Sequence, residues 1–364
     1  MPVTFAPSPQ AKELSPVSDH SAKALPDTLV WADAVRPEPA ATPDRQPGTT
    51  HRRPAPVFVY GALRSGTTMF RLMLDHHPQI ANPGEVDFLF DYLIPSNMHP
   101  TGWRYDLTAL RRNRIFQSQG LDLAPGMDGL DLLHDMVRQM TERAAPGMRL
   151  TFNIHRNLHT MNWVFPEAPV IHVLRDPRDV ARSAVQMGWA HHLYHAVTPW
   201  VAVESDWECV APWLTTSQVL TLRYERLVTG PEEELRRVCR FLGVAFSAEM
   251  LSYVQRSSYG APDPALVGQW KTRCDPDHIA LLEGRAGQLM TARGYAVTGQ
   301  ERRPGLGERT TLAVSEKIGI WRAGMQIYGP ATFFGEKLTR HMRVPGLQAW
   351  LRARMNRAET ARLK

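Results

Sequence analysis

The chain has 364 residues, 43% of them hydrophobic, which is enough for one sizeable core, and no run approaches the roughly 20 apolar residues that span a bilayer. Its three cysteines, Cys209, Cys239 and Cys274, are scattered, odd in number and without CxxC spacing, which excludes an obvious disulfide framework or zinc site and suits a reducing compartment. The net charge of +6 is unevenly placed: Glu301 to Lys364 holds 13 Lys/Arg and 5 Asp/Glu, a net of +8, so the remainder carries −2 and the basic balance does not mark the core as a nucleic-acid binder.

Residues 1–53 are rich in Pro, Ala, Ser and Thr without a sustained apolar period, and they lack the apolar stretch of a signal peptide. They read as a disordered leader of a soluble, cytoplasmic protein. The first buried strand is expected at PVFVY, ending at Tyr60. GALRSGTT follows, and then a helix whose apolar face, Met69, Leu72 and Met73, is ended by Pro78. Further strands are expected at 150–154, 170–174 and 219–223, with helices at 126–144, 178–190 and 231–242. Alternating strands and helices predict an α/β domain over 54–298: a P-loop-type central parallel sheet flanked by helices. From 299 to 364 a Gly- and Arg-rich linker leads to a helical, basic extension, with amphipathic helices at 312–326 and 331–342. Packing of these helices on the core is the favoured reading. Attachment to anionic lipid at the inner face of a membrane, or to a partner, is the alternative, on the strength of Trp350 and Leu351 beside Arg352 and Arg354.

The segment Gly61 to Thr68 joins the first strand to the first helix. Backbone N–H groups in such a loop converge on one concavity, and the helix N-terminus adds partial positive charge. The loop resembles GxxxxGK[ST], but Thr67 holds the lysine position, and Arg64 is its only full positive charge. It suits a single 5′-phosphoryl group better than a triphosphate with Mg²⁺. A second anion site is expected where the strand 170–174 delivers Arg175. Asp176 is a natural N-cap, Pro177 starts a helix, and Ser183 lies about two turns on. A guanidinium fork and a hydroxyl suit a separate phosphate.

Two phosphate sites on neighbouring strands fit a nucleotide phosphorylated at both 5′ and 3′. At this point the sequence resembles the sulfotransferase superfamily. Arg64-Ser65-Gly66-Thr67-Thr68 is similar to its 5′-phosphosulfate loop, and Arg175, Pro177, Asp179 and Ser183 are similar to its RxPxDxxxS motif. Tyr224 to Gly243 is similar to its YExL…P…FLG segment, and Gln269-Trp270-Lys271 to a late nucleotide-lid segment.

The resemblance implies metal-independent transfer of a sulfuryl group from 3′-phosphoadenosine 5′-phosphosulfate (PAPS) to a hydroxyl acceptor, whether carbohydrate, lipid-linked or small molecule. It implies that Arg64, Ser65, Gly66, Thr67 and Thr68 hold the phosphosulfate, that Arg175 and Ser183 hold the 3′-phosphate, and that Tyr224 contacts the adenine. Two residues compete as general base: Glu85, presented by Asn82-Pro83-Gly84, and His155 at a strand end. No nucleic-acid partner is implied, and oligomeric state stays open. A P-loop small-molecule kinase and a non-catalytic nucleotide-binding partner protein are the alternatives. The His-, Tyr- and Trp-rich stretch from Trp189 to Trp207 is an expected acceptor pocket.

Overall fold

In a computed structural model, residues 55–362 are described, apart from Ser258 and residues 343–344. The leader expected over 1–53 lies outside the described residues.

Five strands form one parallel sheet: β1 (Val57–Tyr60), β2 (Ile80–Ala81), β5 (Arg149–Ile154), β6 (Val170–Leu174) and β7 (Val219–Arg223), in the order β2-β5-β1-β6-β7. A separate antiparallel pair, β3 (Leu93–Pro95) and β4 (Trp103–Tyr105), lies between β2 and β5 in sequence. The four strands expected from apolar runs are present. β2 and the β3–β4 pair were not foreseen, because segments of two or three residues are too short to show a period.

Side chains alternate across the sheet, and both faces are covered. Phe58, Tyr60, Phe152, Ile154 and Val170 pack into a core with the helices α2 (Gly129–Arg143), α4 (Thr198–Val210) and α6 (Pro276–Ala292). Val57, Val59, Ile171, Val173 and Leu222 face the other way, against α1 (Thr67–Asp75) and α5 (Pro231–Leu242). Met69, Leu72 and Met73 are buried, as their spacing requires. Helix α3 (Pro177–Gln186) begins as expected, with the Asp176 side chain accepting from the Arg178 backbone N–H. It stops four residues short of 190 because Gly188 turns the chain at φ 74°.

The C-terminal extension is helical from earlier than expected. Helix α7 runs Leu306–Tyr328, followed by α8 (Pro330–Met342) and α9 (Pro345–Arg362). The polar stretch after residue 305 is helix rather than linker: Glu308 sits in its first turn, where a negative charge is favoured, and pairs with Arg302 at 2.8 Å. Helix α7 lies on the core. The Glu316 carboxylate accepts backbone N–H groups of His191 and His192, and a Cβ on Gly319 would stand 2.1 Å from the His191 ring.

Candidate active site

The candidate residues all emerge from carboxyl ends of neighbouring parallel strands, where open α/β sheets bind ligands. Strand β1 delivers the loop 61–66, β5 delivers His155, β6 delivers Arg175 and β7 delivers Tyr224. Two glycines make the loop possible. A Cβ on Gly61 would stand 2.5 Å from the Val173 carbonyl oxygen of β6. Gly66, at φ 88°, lies so close to Tyr224 that a Cβ would meet its ring at 2.3 Å.

Arg64 is also left-handed, at φ 71°, a conformation uncommon outside glycine. Its backbone carbonyl accepts a hydrogen bond from Arg175 Nη1 at 2.9 Å. Its own Nε donates to Ser183 Oγ at 3.0 Å. The two anion motifs, about 110 residues apart in sequence, are thus bonded directly to each other. The Arg64 guanidinium sits 5.5 Å from the Trp189 ring, and burial lowers its pKa from the ordinary value. Ser65 is buried, and its Oγ has no hydrogen-bond partner in the protein.

The Arg175 guanidinium stacks over Tyr224, 4.0 Å from the ring centroid, and its Nε is buried without a partner. Tyr224 therefore lies beneath both the loop and Arg175. Asp179, which the motif contained but the site assignment passed over, holds a third segment. Its carboxylate accepts the Gly268 N–H at 2.7 Å and the Trp270 N–H at 3.0 Å. Trp270 in turn donates from Nε1 to Asp176 and carries the Arg178 guanidinium 3.7 Å over its ring. Arg178, next to Asp179 in sequence, does not belong to a surface salt-bridge cluster. Arg178 is instead 4% exposed, paired with Asp176 at 2.7 Å and Glu283 at 2.8 Å, and it fixes the second motif from within.

Glu85 and His155, expected as rival bases, occupy one place. Residues 84–86 run beside β5: Val86 N–H donates to Asn153 O, and Asn153 N–H donates to Gly84 O. Asn82 fixes this approach, donating to Thr151 Oγ1 and Asn153 Oδ1 while its own oxygen accepts the Gly84 N–H. The result sets Glu85 Oε1 3.5 Å from His155 Nε2. At that distance the contact is electrostatic rather than a good hydrogen bond, and Nε2 keeps no hydrogen-bond partner.

His155 Nδ1 lies 2.7 Å from the Gly61 carbonyl, which can only accept, so Nδ1 carries a proton. The His155 backbone N–H donates to Asp87 Oδ1 at 2.8 Å. Burial pushes the imidazole pKa down, but Glu85, Asp87 and the Gly61 carbonyl outweigh it and raise it to about 9. Burial pushes Glu85 up, but His155, Arg71 and Arg156 hold it below the ordinary carboxylate value. Near neutral pH the pair is a carboxylate beside an imidazolium. Glu85, Asp87 and His155 also offer three donor atoms within 4.8 Å of one another, as a cation site would. Asp87 Oδ1 and His155 Nδ1 are, however, engaged with the backbone.

The expected acceptor stretch divides. Trp200 and Trp207 are core residues of α4: Trp200 is fully buried, and Trp207 stacks on His172 at 4.0 Å. Trp189 stands beside Arg64, and Trp200 Nε1 donates to the Arg175 backbone carbonyl at 3.1 Å. His191 and His192 face α7, and His172 is a buried partner of Glu204 at 3.0 Å.

The chain has relatives among known proteins. A profile of the sulfotransferase family matches residues 56–248, slightly more than half of the chain. An uncharacterised protein of Aquifex aeolicus is 26% identical over 232 residues, covering 58% of this chain and 28% of its own length. Protein-tyrosine sulfotransferase A of Caenorhabditis elegans is 22% identical over 305 residues, 76% of each chain. The chain thus spans well under two thirds of the Aquifex relative. Among solved structures, the sulfotransferase domain of the Synechococcus PCC 7002 olefin synthase shares the fold at a TM-score of 0.51 and 22% identity, covering 69% of this chain and 99% of that one. With the family profile lying across the sheet and both anion motifs, this chain belongs to the sulfotransferase family.

Proposed function

We propose that this chain transfers a sulfuryl group from PAPS to a hydroxyl acceptor, with Glu85 as the general base. The observation that carries the reading is the union of the two anion motifs through Arg64, Arg175 and Ser183, with the Glu85–His155 pair held to the same loop through Gly61. The fit to a doubly phosphorylated nucleotide is supported by two buried polar atoms of the anion motifs that have no protein partner, Ser65 Oγ and Arg175 Nε. Buried polar atoms in folded proteins are nearly always satisfied, so these two argue for a polar ligand.

The donor supplies a sulfuryl group on a phosphate leaving group. Arg64 and the backbone N–H groups of residues 65–68 neutralise charge at the 5′ side, including the charge that develops as the bridging S–O bond breaks. Arg175 and Ser183 hold the 3′-phosphate. Tyr224 supports both sites from below, in addition to the adenine contact the resemblance implies. Glu85 takes the acceptor's hydroxyl proton as the new O–S bond forms. His155, protonated and held by Gly61, keeps Glu85 ionised and in place, and its Nε2–H offers charge to a transferring oxygen. This reading favours Glu85 over His155 as the base, since an imidazolium with a pKa of about 9 has no lone pair to accept a proton at neutral pH.

The test is release of adenosine 3′,5′-bisphosphate from PAPS across a panel of phenol, sugar and lipid-linked hydroxyl acceptors, with EDTA present. Acceptor-dependent release in EDTA supports the reading and its independence of metal. ADP formation from ATP and Mg²⁺, with no turnover of PAPS, would replace it with a kinase. Tight bisphosphate binding with no transfer to any acceptor would replace it with a silent nucleotide-binding protein.

A further inference from the structure

Helices α7 and α8 turn an unusual surface outward. Val314, Ile318 and Trp321 follow one another along α7 at intervals of four and three residues. Phe334, Leu338 and Met342 follow at intervals of four along α8. Such spacings place each set on one helical face. All six side chains are between 37% and 64% exposed, and the Trp321 and Phe334 rings touch at 6.0 Å, joining the two rows into one patch. The opposite side of α7 is what packs on the core, through Leu312, Gly319 and Ala323. The outward patch therefore has no role in holding the extension to the domain.

The charges around it are arranged by sign. Lys317 and Lys337 place their ammonium groups 5.5 and 5.2 Å from the Trp321 ring, and Arg322 follows Trp321 on the exposed side of the helix. The acidic residues of these helices are committed elsewhere. Glu308 pairs with Arg302, Glu316 accepts two backbone N–H groups of the core, and Glu336 is buried against Arg352. The surface left is aromatic and aliphatic, with a cationic rim. No helix among the described residues is long and apolar enough to cross a membrane.

We propose that this patch docks on an anionic lipid bilayer, with the α7 and α8 rows entering the interface and Lys317, Arg322 and Lys337 meeting the headgroups. The choice of occupant follows from charge and composition. Aromatic rings at headgroup depth with basic residues beside them match the polarity gradient of a bilayer surface. A second copy of this chain would instead bring its own cationic rim against the same rim.

The experiment is co-sedimentation of the full chain with vesicles of phosphatidylcholine alone and of phosphatidylcholine mixed with phosphatidylglycerol. The chain should bind the mixed vesicles at least about tenfold more strongly than the neutral ones, and added salt should weaken the binding. The double variant Lys317→Glu, Lys337→Glu should lower it by about tenfold or more. Ile318→Ser should lower it on both vesicle types. Each variant must keep the wild-type circular dichroism and bisphosphate affinity, which separates loss of docking from loss of fold. Absence of binding to the mixed vesicles, or equal binding to both, would overturn the proposal. So would a wild-type dimer in equilibrium sedimentation that Trp321→Ser converts to monomer, since the patch would then belong to a second copy. None of these outcomes depends on sulfuryl transfer.

Discussion

The two ends of the site are built in opposite ways. At the ends of β6 and β7, Arg175, Tyr224, Asp179 and Trp270 form a lattice of fixed partners: a stacked guanidinium, a carboxylate saturated by two backbone N–H groups, and an indole under a buried arginine. Beyond the ends of β2 and β5, Glu85 and His155 face each other at 3.5 Å, with both pKa values displaced by the other's charge. One end has a permanent charge and rigid geometry, suited to holding a phosphate. The other titrates, and is suited to moving a proton. The contrast says that damage at the first end should appear in donor affinity, and damage at the second in the rate of the chemical step.

The sharpest way to break this division is Glu85→Gln, which keeps shape and removes the proposed base. It should lower kcat by about 10³-fold, within the range general-base catalysis contributes, while bisphosphate affinity stays within about twofold. An equal loss in both would make Glu85 a binding residue. His155→Gln comes next, at about 10²-fold in kcat, because Glu85 then loses its charged neighbour. Its informative readout is the pH profile. In the wild type, activity should fall in acid as Glu85 gains its proton, at a pH below its ordinary carboxylate value, and fall again in alkali as the imidazolium loses its proton near pH 9. In His155→Gln the acid limb should move upward and the alkaline limb disappear.

Stability follows the same pair. The imidazole pKa is raised in the folded state, so its contribution is fully present below the unfolded value of about 6.5 and is lost as pH rises through about 9. Thermal melts across that window should show the wild type losing stability toward pH 9, with His155→Gln flat over the same range. The smallest effect belongs to the holding end. Asp179→Asn keeps the side-chain volume but weakens the grip on Gly268 and Trp270, so it should raise the donor KM by about tenfold with kcat nearly unchanged. A fall in kcat instead would mean that the 268–270 segment shapes the reacting centre.

The same contrast explains what could be read from the sequence. The holding end is local: Arg175, Pro177, Asp179 and Ser183 lie on one strand end and one helix, so their spacing carries the geometry. The loop at Gly61 to Thr68 is legible for the same reason. Glu85 and His155 are 70 residues apart, and only the register of residues 84–86 along β5 brings them together. No spacing rule records that register, so they could be read only as rivals. Helix α6 escaped notice because Gly284 interrupts its pattern. In the fold that glycine admits the chain at Arg302, whose carbonyl oxygen would stand 1.9 Å from a Cβ there. Trp200 and Trp207 misled in the other direction: aromatic richness is common to pockets and to cores, and α4 turns both rings inward.

The most direct test of the central claim is calorimetric titration with adenosine 3′,5′-bisphosphate in EDTA, run on wild type, Arg175→Ala and Glu85→Gln. The account predicts metal-independent binding that Arg175→Ala weakens about 30-fold, the loss of a charged hydrogen bond of ~2 kcal/mol, and that Glu85→Gln leaves unchanged. Binding of ATP with Mg²⁺ and none of the bisphosphate, or equal weakening by both variants, would contradict it.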